Sequence, residues 1–474
     1  METVTSWGTL VAGEWLAAAS VIEVRNPLDR QLAGIVALSS VEDVERAVTA
    51  ADAAWRQPWP AHARYDTLMA AAARVDARAE AYAQSIAAEG SKAIGEARHE
   101  PPRAANILRL SAEVGRQLCG ETLPFDIRAG SENRVGYYVR VPAGVVGAIT
   151  PFNDPLAMAA HKTAPALAAG NAVVLKPATA TPLSALMLAE DLIAAGLPPG
   201  RLNVVTGPGP VIGEALARDR RVRVLSFTGG VETGDRLTRI AGIKKLSMEL
   251  GSNSPVIVLP DARLDRAVAL TIAGAFAQAG QNCLGVQRVL VHEQVYEAFR
   301  ERFVAAAARL RAGASTDERT DVCAMIDETQ AARVESWIAE AVRGGARVLT
   351  GGTRTGALVA PTVLETVPDG AHLDVDEVYG PVVSLYRVPS LEAAIERANR
   401  VDYGLHAAIF TESLRDAFTA AAALHVGGVM INDSTDYRLD VMPFGGTKMS
   451  GIGREGIRFA LNEMTETRVV CLNL

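Results

Sequence analysis

The sequence predicts an α/β protein: a doubly wound parallel sheet, a second α/β domain after it, and a small β arm. Three observations carry this expectation. An Ala- and Arg-rich tract over 40–118 places apolar residues every three or four positions, the spacing of amphipathic helices. From 144 to 250, and again from 254 to about 450, short β-branched runs alternate with helical stretches. Alternation at this pitch builds a parallel sheet covered on both faces, with ligands at the carboxyl ends of its strands.

Taken in order, "VEDVERAVTAADAAW" (41–55) and "AARVDARAEAYAQSIAAEG" (72–90) read as helices. "RVGYYVRVP" (134–142) alternates bulky and polar residues like a strand outside either sheet, and the last ten residues, "TETRVVCLNL", read as another. The two are expected to form an arm for subunit contact. "GVVGAIT", "NAVVLK", "LNVVTG", "VRVLSF" and "KKLSMEL" are the strands of the first sheet, with helices over 182–195 and 231–240 between them. "SPVIVLP" (254–260) opens the second series, followed by a helix around 264–279. The division expected is 1–122 and 143–250 for the first α/β domain, 251–453 for the second, and 123–142 and 454–474 for the arm.

With 474 residues, 49% of them hydrophobic, the chain is long enough for two or three such domains. Its 54 acidic residues against 47 Lys plus Arg leave no basic excess for a nucleic acid. No apolar stretch reaches the ~18 residues of a membrane span. Four cysteines (Cys119, Cys283, Cys323, Cys471) stand far apart with no C-x-x-C pair, which fits neither a zinc site nor a disulfide framework. No metal is expected. The start carries Glu2 and Glu14 and lacks a basic region followed by a sustained apolar run, so a cytoplasmic protein without a signal peptide is expected.

Cys283, in "GQNCLGVQRV" (280–289), has two readings: an inert core filler, the common fate of free cysteine, or a nucleophile. Val268, Ile272 and Phe276 share one face of the preceding helix and Gly280 supplies its stop, which leaves Cys283 in a loop off the apolar stripe. Glu249 ends a strand in "SMELGSN" and is either a general base or a solvated carboxylate. Asn153, between two prolines in "ITPFNDP", is either a turn residue or an amide donor for a developing oxyanion. Lys176 and Thr179 follow a strand in "VLKPATATP". Gly209 and Gly213 in "TGPGPVIGEAL", and Gly229 and Gly230 in "FTGGVETG", stand between strand and helix, where backbone N–H groups attract phosphate. Two such loops in one sheet, with a lysine after a third strand, point to a dinucleotide.

"PFNDP", "LKPATATP", "FTGG", "MELGSN", "GQNC", "EVYGPV" and "MPFGGTKMSG", in this order and together with the opening "VAGEW…NP", resemble the NAD(P)-dependent aldehyde dehydrogenase superfamily over essentially the whole chain. The resemblance implies that Cys283 attacks the aldehyde, Asn153 with the Cys283 N–H holds the oxyanion, and Glu249 activates water to release the acid. The implied cofactor set is Ile149, Pro151, Phe152, Lys176, Thr179, Gly209, Gly213, Phe227, Gly229, Gly230, Glu377 and Tyr379, with Glu377 on the nicotinamide ribose, Lys176 on the adenosine ribose, and Tyr379 in place of the usual phenylalanine. NAD-preferring members often carry glutamate where this chain has Thr179; a neutral hydroxyl removes repulsion of a 2′-phosphate, so NADP as well as NAD is expected as cofactor. "CLGVQR" and "INDSTDYRLDVMPFGG" look closest to the lactaldehyde, non-phosphorylating glyceraldehyde-3-phosphate and phosphonoacetaldehyde branch. Arg438 and Arg103 fall on positions that hold an anionic head in that branch, and His161 is either a further contact to the head or a core histidine. The substrate expected is a short aldehyde with an anionic or a hydroxyl head, the oligomer a homodimer or homotetramer. A coenzyme A-acylating enzyme and an inactive binding member of the same fold are the alternatives, and retention of Glu249 with Cys283 and Asn153 argues against both.

Overall fold

The computed structural model describes residues 5–474. Residues 1–4, the beginning of the 1–122 segment and of the start read as lacking a leader, lie outside the described residues.

The five β-branched runs form the parallel centre of an eight-stranded sheet, in the spatial order Lys245–Glu249, Val222–Thr228, Val145–Ile149, Ala172–Lys176, Leu202–Val204. Side chains of successive strand residues enter opposite cores, as the pleat requires. Val146, Val173 and Leu175 pack with Leu68, Leu108, Leu156 and Leu186 from the helices on one face. Val145 and Val174 pack with Val44, Val48, Leu216 and Leu237 from the helices on the other. Both faces are covered, which is why these runs are almost uniformly apolar. The edges depart from the expected all-parallel sheet: Thr9–Val11 with Glu14–Leu16 closes one side and Gly451–Ile452 the other, both antiparallel. These strands are two or three residues long, too short to leave a periodicity in the sequence.

A seven-stranded sheet holds the second series, in the order Arg347–Thr350, Thr362–Glu365, Val382–Val388, Val286–His292, Ser254–Val258, His406–Phe410, Gly428–Ile431. All neighbours are parallel except the first pair. Apart from both large sheets, Arg134–Pro142 pairs antiparallel along its full length with Thr465–Asn473, and on its other side with Glu121–Leu123. A further three-stranded sheet (Ser6–Trp7, Leu32–Ala37, Val21–Arg25) had no counterpart in the sequence reading. The molecule is an α/β protein. Among the described residues no helix is long and apolar enough to cross a membrane.

Candidate active site

The helix Leu264–Phe276 ends three residues short of the expected boundary, because the backbone reverses there. Gln278 and Ala279 are both left-handed (φ 54° and 55°), and Gly280 follows at 69°. Each non-glycine residue in this region costs about 1–2 kcal/mol, so tertiary contacts must hold the turn. The Glu96 carboxylate accepts the Gln278 N–H at 3.0 and 3.2 Å, and the Gln281 side chain accepts the N–H of Ile326 at 3.0 Å. At Gly280 a Cβ would stand 2.1 Å from the Gly380 carbonyl oxygen, which excludes any larger residue. The reversal delivers Cys283 to a tight turn just before the strand Val286–His292. Val268 and Phe276 are buried as expected, and Ile272 is half-buried.

Cys283, Glu249, Asn153, Arg103 and Arg438 line one cavity of about 300 Å³, together with Gln278. They come from different elements. Glu249 is the last residue of its strand, Asn153 lies in the loop after Val145–Ile149, and Cys283 approaches from the second sheet.

Burial sets the protonation of this cavity. Both Glu249 oxygens are buried and without a partner, and burial, then the nearby Glu455 charge, raises this carboxyl well above its ordinary range. Burial likewise pushes the Cys283 thiol up to about 12, opposed by the Arg438 charge. Glu455 is the contrasting case. Burial would raise it too, but Lys162 at 2.9 Å and Arg438 at 3.1 Å overcome that and hold it well below the usual carboxylate range. The two acids are thus driven apart, one towards the neutral form and one firmly ionised.

At the head of the cavity the two arginines are ion-paired and still retain free donors. Arg103 Nε donates to Asp440 at 3.2 Å and Nη1 lies 3.7 Å from Asp154, while its buried Nη2 has no partner. The Arg438 guanidinium lies 3.7 Å over the Phe444 ring and its Nε also lacks a partner. His161 does not reach the cavity. It is fully buried, with Nε2 2.7 Å from Asp440 and 3.5 Å from Arg438, and burial followed by the Arg438 charge lowers its pKa. His161 stands eight positions past Asn153, in the second turn of the helix Pro155–Ala168, and its bond to Asp440, 279 positions away, left no signal in the sequence.

Sequence reasoning missed several charged residues here. Lys92 joins Glu100 at 2.7 Å and also Asp154, and Glu100 accepts the N–H groups of Leu156 and Ala157 at 2.8 and 2.9 Å. That bond set fixes the start of the helix Pro155–Ala168, directly after Asn153. Lys162 had a usable signal: a lysine within the otherwise small and apolar "PLAMAAHKTAPALA" must be buried and therefore paired.

Around the first sheet the expected cofactor residues gather at the strand ends. Lys176 is buried, donates to the Pro177 carbonyl at 2.9 Å, and is lowered by burial to about 8. Thr179 donates to the Gly207 carbonyl at 2.8 Å. Gly209–Gly213 forms a wide turn leading into the helix Glu214–Arg218, and a Cβ on Gly213 would touch Ile149 and Lys176. At Gly229 a Cβ would stand 2.6 Å from the Phe227 ring, and Gly230, open to space, begins the helix Val231–Ala241. Glu377 accepts the Ser252 N–H at 2.8 Å and is raised by burial to about 7; a Cβ on Gly251 would fall 2.2 Å from its carboxylate. Tyr379, left-handed at φ 44°, meets the Phe152 ring edge-on at 5.8 Å, and Pro151 lines the Cys283 cavity.

Residues 15–470 match the sequence profile described as Aldehyde dehydrogenase family. The chain belongs to the aldehyde dehydrogenase family. It is an NAD(P)-dependent oxidoreductase that converts an aldehyde to an acid. The dehydrogenase is 46% identical over 455 residues to aspartate-semialdehyde dehydrogenase 1 of Pseudomonas canavaninivorans, covering 96% of this chain and 97% of that protein. It is 44% identical to the 3-sulfolactaldehyde dehydrogenase of Priestia aryabhattai, covering 100% of this chain and 99% of that one. Among solved structures, the NADP-dependent glyceraldehyde-3-phosphate dehydrogenase of Bacillus halodurans, complexed with NADP, superimposes with a TM-score of 0.96 at 37% identity over 99% of both chains.

Proposed function

We propose that this dehydrogenase oxidises a short aldehyde with an anionic head group to the carboxylic acid, through a thioester on Cys283, and that it accepts NADP as well as NAD. One observation carries the reading: Cys283, Glu249 and Asn153 share a cavity with two arginines that keep unpartnered N–H groups. A guanidinium with free donors suits a carboxylate, sulfonate or phosphate. The relatives named for aspartate semialdehyde, sulfolactaldehyde and glyceraldehyde 3-phosphate each act on an aldehyde with such a head, which supports this choice over a neutral hydroxyaldehyde.

Burial keeps Cys283 a thiol before substrate arrives, so as the sulfur adds to the carbonyl carbon its proton passes to solvent and the C=O π pair moves onto oxygen. The Asn153 amide and the Cys283 N–H donate to the resulting oxyanion. Bound NAD(P)+ supplies the acceptor for the hydride that leaves this carbon. Glu249 has both oxygens unpartnered, and burial raises its carboxyl well above the ordinary range. In its ionised form it takes a proton from the water that adds to the thioester, the C–S bond breaks, and Cys283 leaves as the thiolate and is reprotonated.

The first sheet suits the dinucleotide. A Cβ on Gly209 or Gly230 would meet nothing, so space stands open over both glycines where strand passes to helix, and glycine at 229 and 251 keeps clear the space beside Phe227 and Glu377. Lys176 and Glu377 would hold the two riboses, with Ile149, Phe152 and Tyr379 along the path between them. Thr179 leaves room for a 2′-phosphate without repelling it, and the NADP complex of the Bacillus halodurans enzyme supports that assignment. Two further assignments complete the proposal. The Arg134–Pro142 and Thr465–Asn473 pair serves as a subunit-contact arm, supported by its separate sheet and by exposed Val469 and Leu472 on its edge strand. The compartment is the reducing cytoplasm, supported by four free cysteines.

The test is a screen of short aldehydes with carboxylate, sulfonate, phosphate and hydroxyl heads, each with NAD and with NADP. Anionic heads should lead in kcat/KM by at least about tenfold, the value of one good charge-assisted contact. A lead by the hydroxyl series would remove the role given to Arg103 and Arg438, and turnover by Cys283→Ala at the parental rate would remove the mechanism.

A further inference from the structure

We propose that Gln278 is a positioning residue that fixes which end of the Asn153 amide faces the cavity. The inference rests on the oxyanion role proposed for Asn153 and adds a residue to it. Asn153 Nδ2 donates to Gln278 Oε1 at 3.3 Å, and Gln278 Nε2 donates to Asp154 Oδ1 at 2.9 Å. All three side chains line the Cys283 cavity.

The order of these bonds is set by polarity. An amide side chain has a donating and an accepting end of nearly equal shape, and packing alone selects neither. An ionised carboxylate only accepts. Asp154 is held ionised, about 2, because the charges of Lys92 and Arg103 overcome the effect of its burial. Gln278 must therefore turn its NH2 group to Asp154 and its oxygen to Asn153. Asn153 in turn must direct its own NH2 group at Gln278, which leaves the second N–H of that group for the cavity. Were Asn153 reversed, its carbonyl oxygen would face the developing oxyanion and repel it.

The backbone of Gln278 is specified with equal care. Its left-handed conformation is kept by the buried Glu96 carboxylate on its N–H, while its carbonyl accepts the N–H of Gln281 at 3.0 Å. A non-glycine residue persists in this region only where its surroundings over-determine the backbone, as the Glu96 and Gln281 bonds do here. Asn153 is only 7% exposed, and among the described residues Gln278 is its one side-chain hydrogen-bond partner.

The test is a double-mutant cycle on the full-length enzyme with Gln278→Met, Asn153→Ala and the double variant. Two rates are read: kcat for the aldehyde with saturating NADP+, and cofactor-free hydrolysis of 4-nitrophenyl acetate, which builds an oxyanion at Cys283 without any dinucleotide. Gln278→Met should lower both rates by at least about tenfold, a fraction of the ~10²–10³ that loss of a whole oxyanion donor costs, with KM for the aldehyde within about twofold. In the Asn153→Ala background the same change should have no further effect. An equal loss in both backgrounds, or an unchanged ester rate, would overturn the proposal. Gln278→Leu replaces Gln278→Met in the cycle if the latter does not fold. Should Asn153→Ala itself leave the ester rate unaltered, the oxyanion reading is at fault, which separates that failure from failure of the positioning role.

Discussion

Arg438 donates to Glu455 at 3.1 Å, and this one bond joins the proposed head-group end of the cavity to its acid–base end. The same guanidinium lies against Phe444, helps keep Glu455 ionised, and lowers the pKa of both Cys283 and Glu249 against the effect of burial. Arg438→Lys preserves the charge but not the planar fork or the ring contact. Its kcat/KM for anionic aldehydes should fall by about tenfold, or about 1.4 kcal/mol, through a raised KM. Arg438→Met should lower kcat as well, since removing the charge lets Cys283 and Glu249 rise further. Steady-state kinetics of the two variants on one aldehyde separates the effects, and identical profiles would sink the double role.

The thiol of Cys283, pushed up to about 12, gives a pH signature in the cofactor-free enzyme. Only the thiolate is alkylated, so the rate of inactivation by iodoacetamide should rise about tenfold for each pH unit between 6 and 8. The sign follows from a pKa above the whole range. A plateau near pH 7 would mean that a base or cation activates the sulfur before substrate arrives.

How much of this site the sequence disclosed depended on whether a residue's partners lie nearby in the chain. The strands Val145–Ile149 and Ala172–Lys176 were legible because burial on both faces leaves continuous apolar runs. The loop position of Cys283 was legible from the stripe of Val268 and Phe276 and the stop at Gly280. Lys92, Glu100 and Glu455 were not, because lysine and glutamate are ordinarily exposed and each is buried here only through a partner from another element. Glu455 meets Lys162 across 293 positions. Nor did anything local announce the left-handed pair Gln278 and Ala279, since the bond from Glu96 that helps hold it spans 182 residues.

Cofactor choice should turn on Thr179, whose hydroxyl donates to the Gly207 carbonyl beside the glycine turn. Thr179→Glu places a carboxylate there that accepts from ribose hydroxyls and repels a 2′-phosphate. The ratio of kcat/KM for NADP to that for NAD should drop by at least about tenfold, the consequence of one like-charge contact near the protein surface. Initial rates with each cofactor at fixed aldehyde measure it, and an unchanged ratio would place the 2′-phosphate elsewhere.

Stability should be concentrated in the buried bonds behind Asn153. Glu100 is almost fully buried; it pairs with Lys92 at 2.7 Å and accepts the first two free N–H groups of the helix Pro155–Ala168. Glu100→Ala would leave both N–H groups without an acceptor and Lys92 with Asp154 as its only remaining bridge. Removing one member of a buried charged pair costs about 3–5 kcal/mol, more than typical core truncations of a methyl group or two. Glu100→Gln keeps an acceptor for the helix N–H groups and should cost less than Glu100→Ala, since only the charge opposite Lys92 is lost. Urea unfolding of the two variants distinguishes these contributions. If they are equally destabilised, the helix cap contributes nothing beyond the ion pair, and Asn153 is held in place by the turn at Gln278 rather than by the helix that follows it.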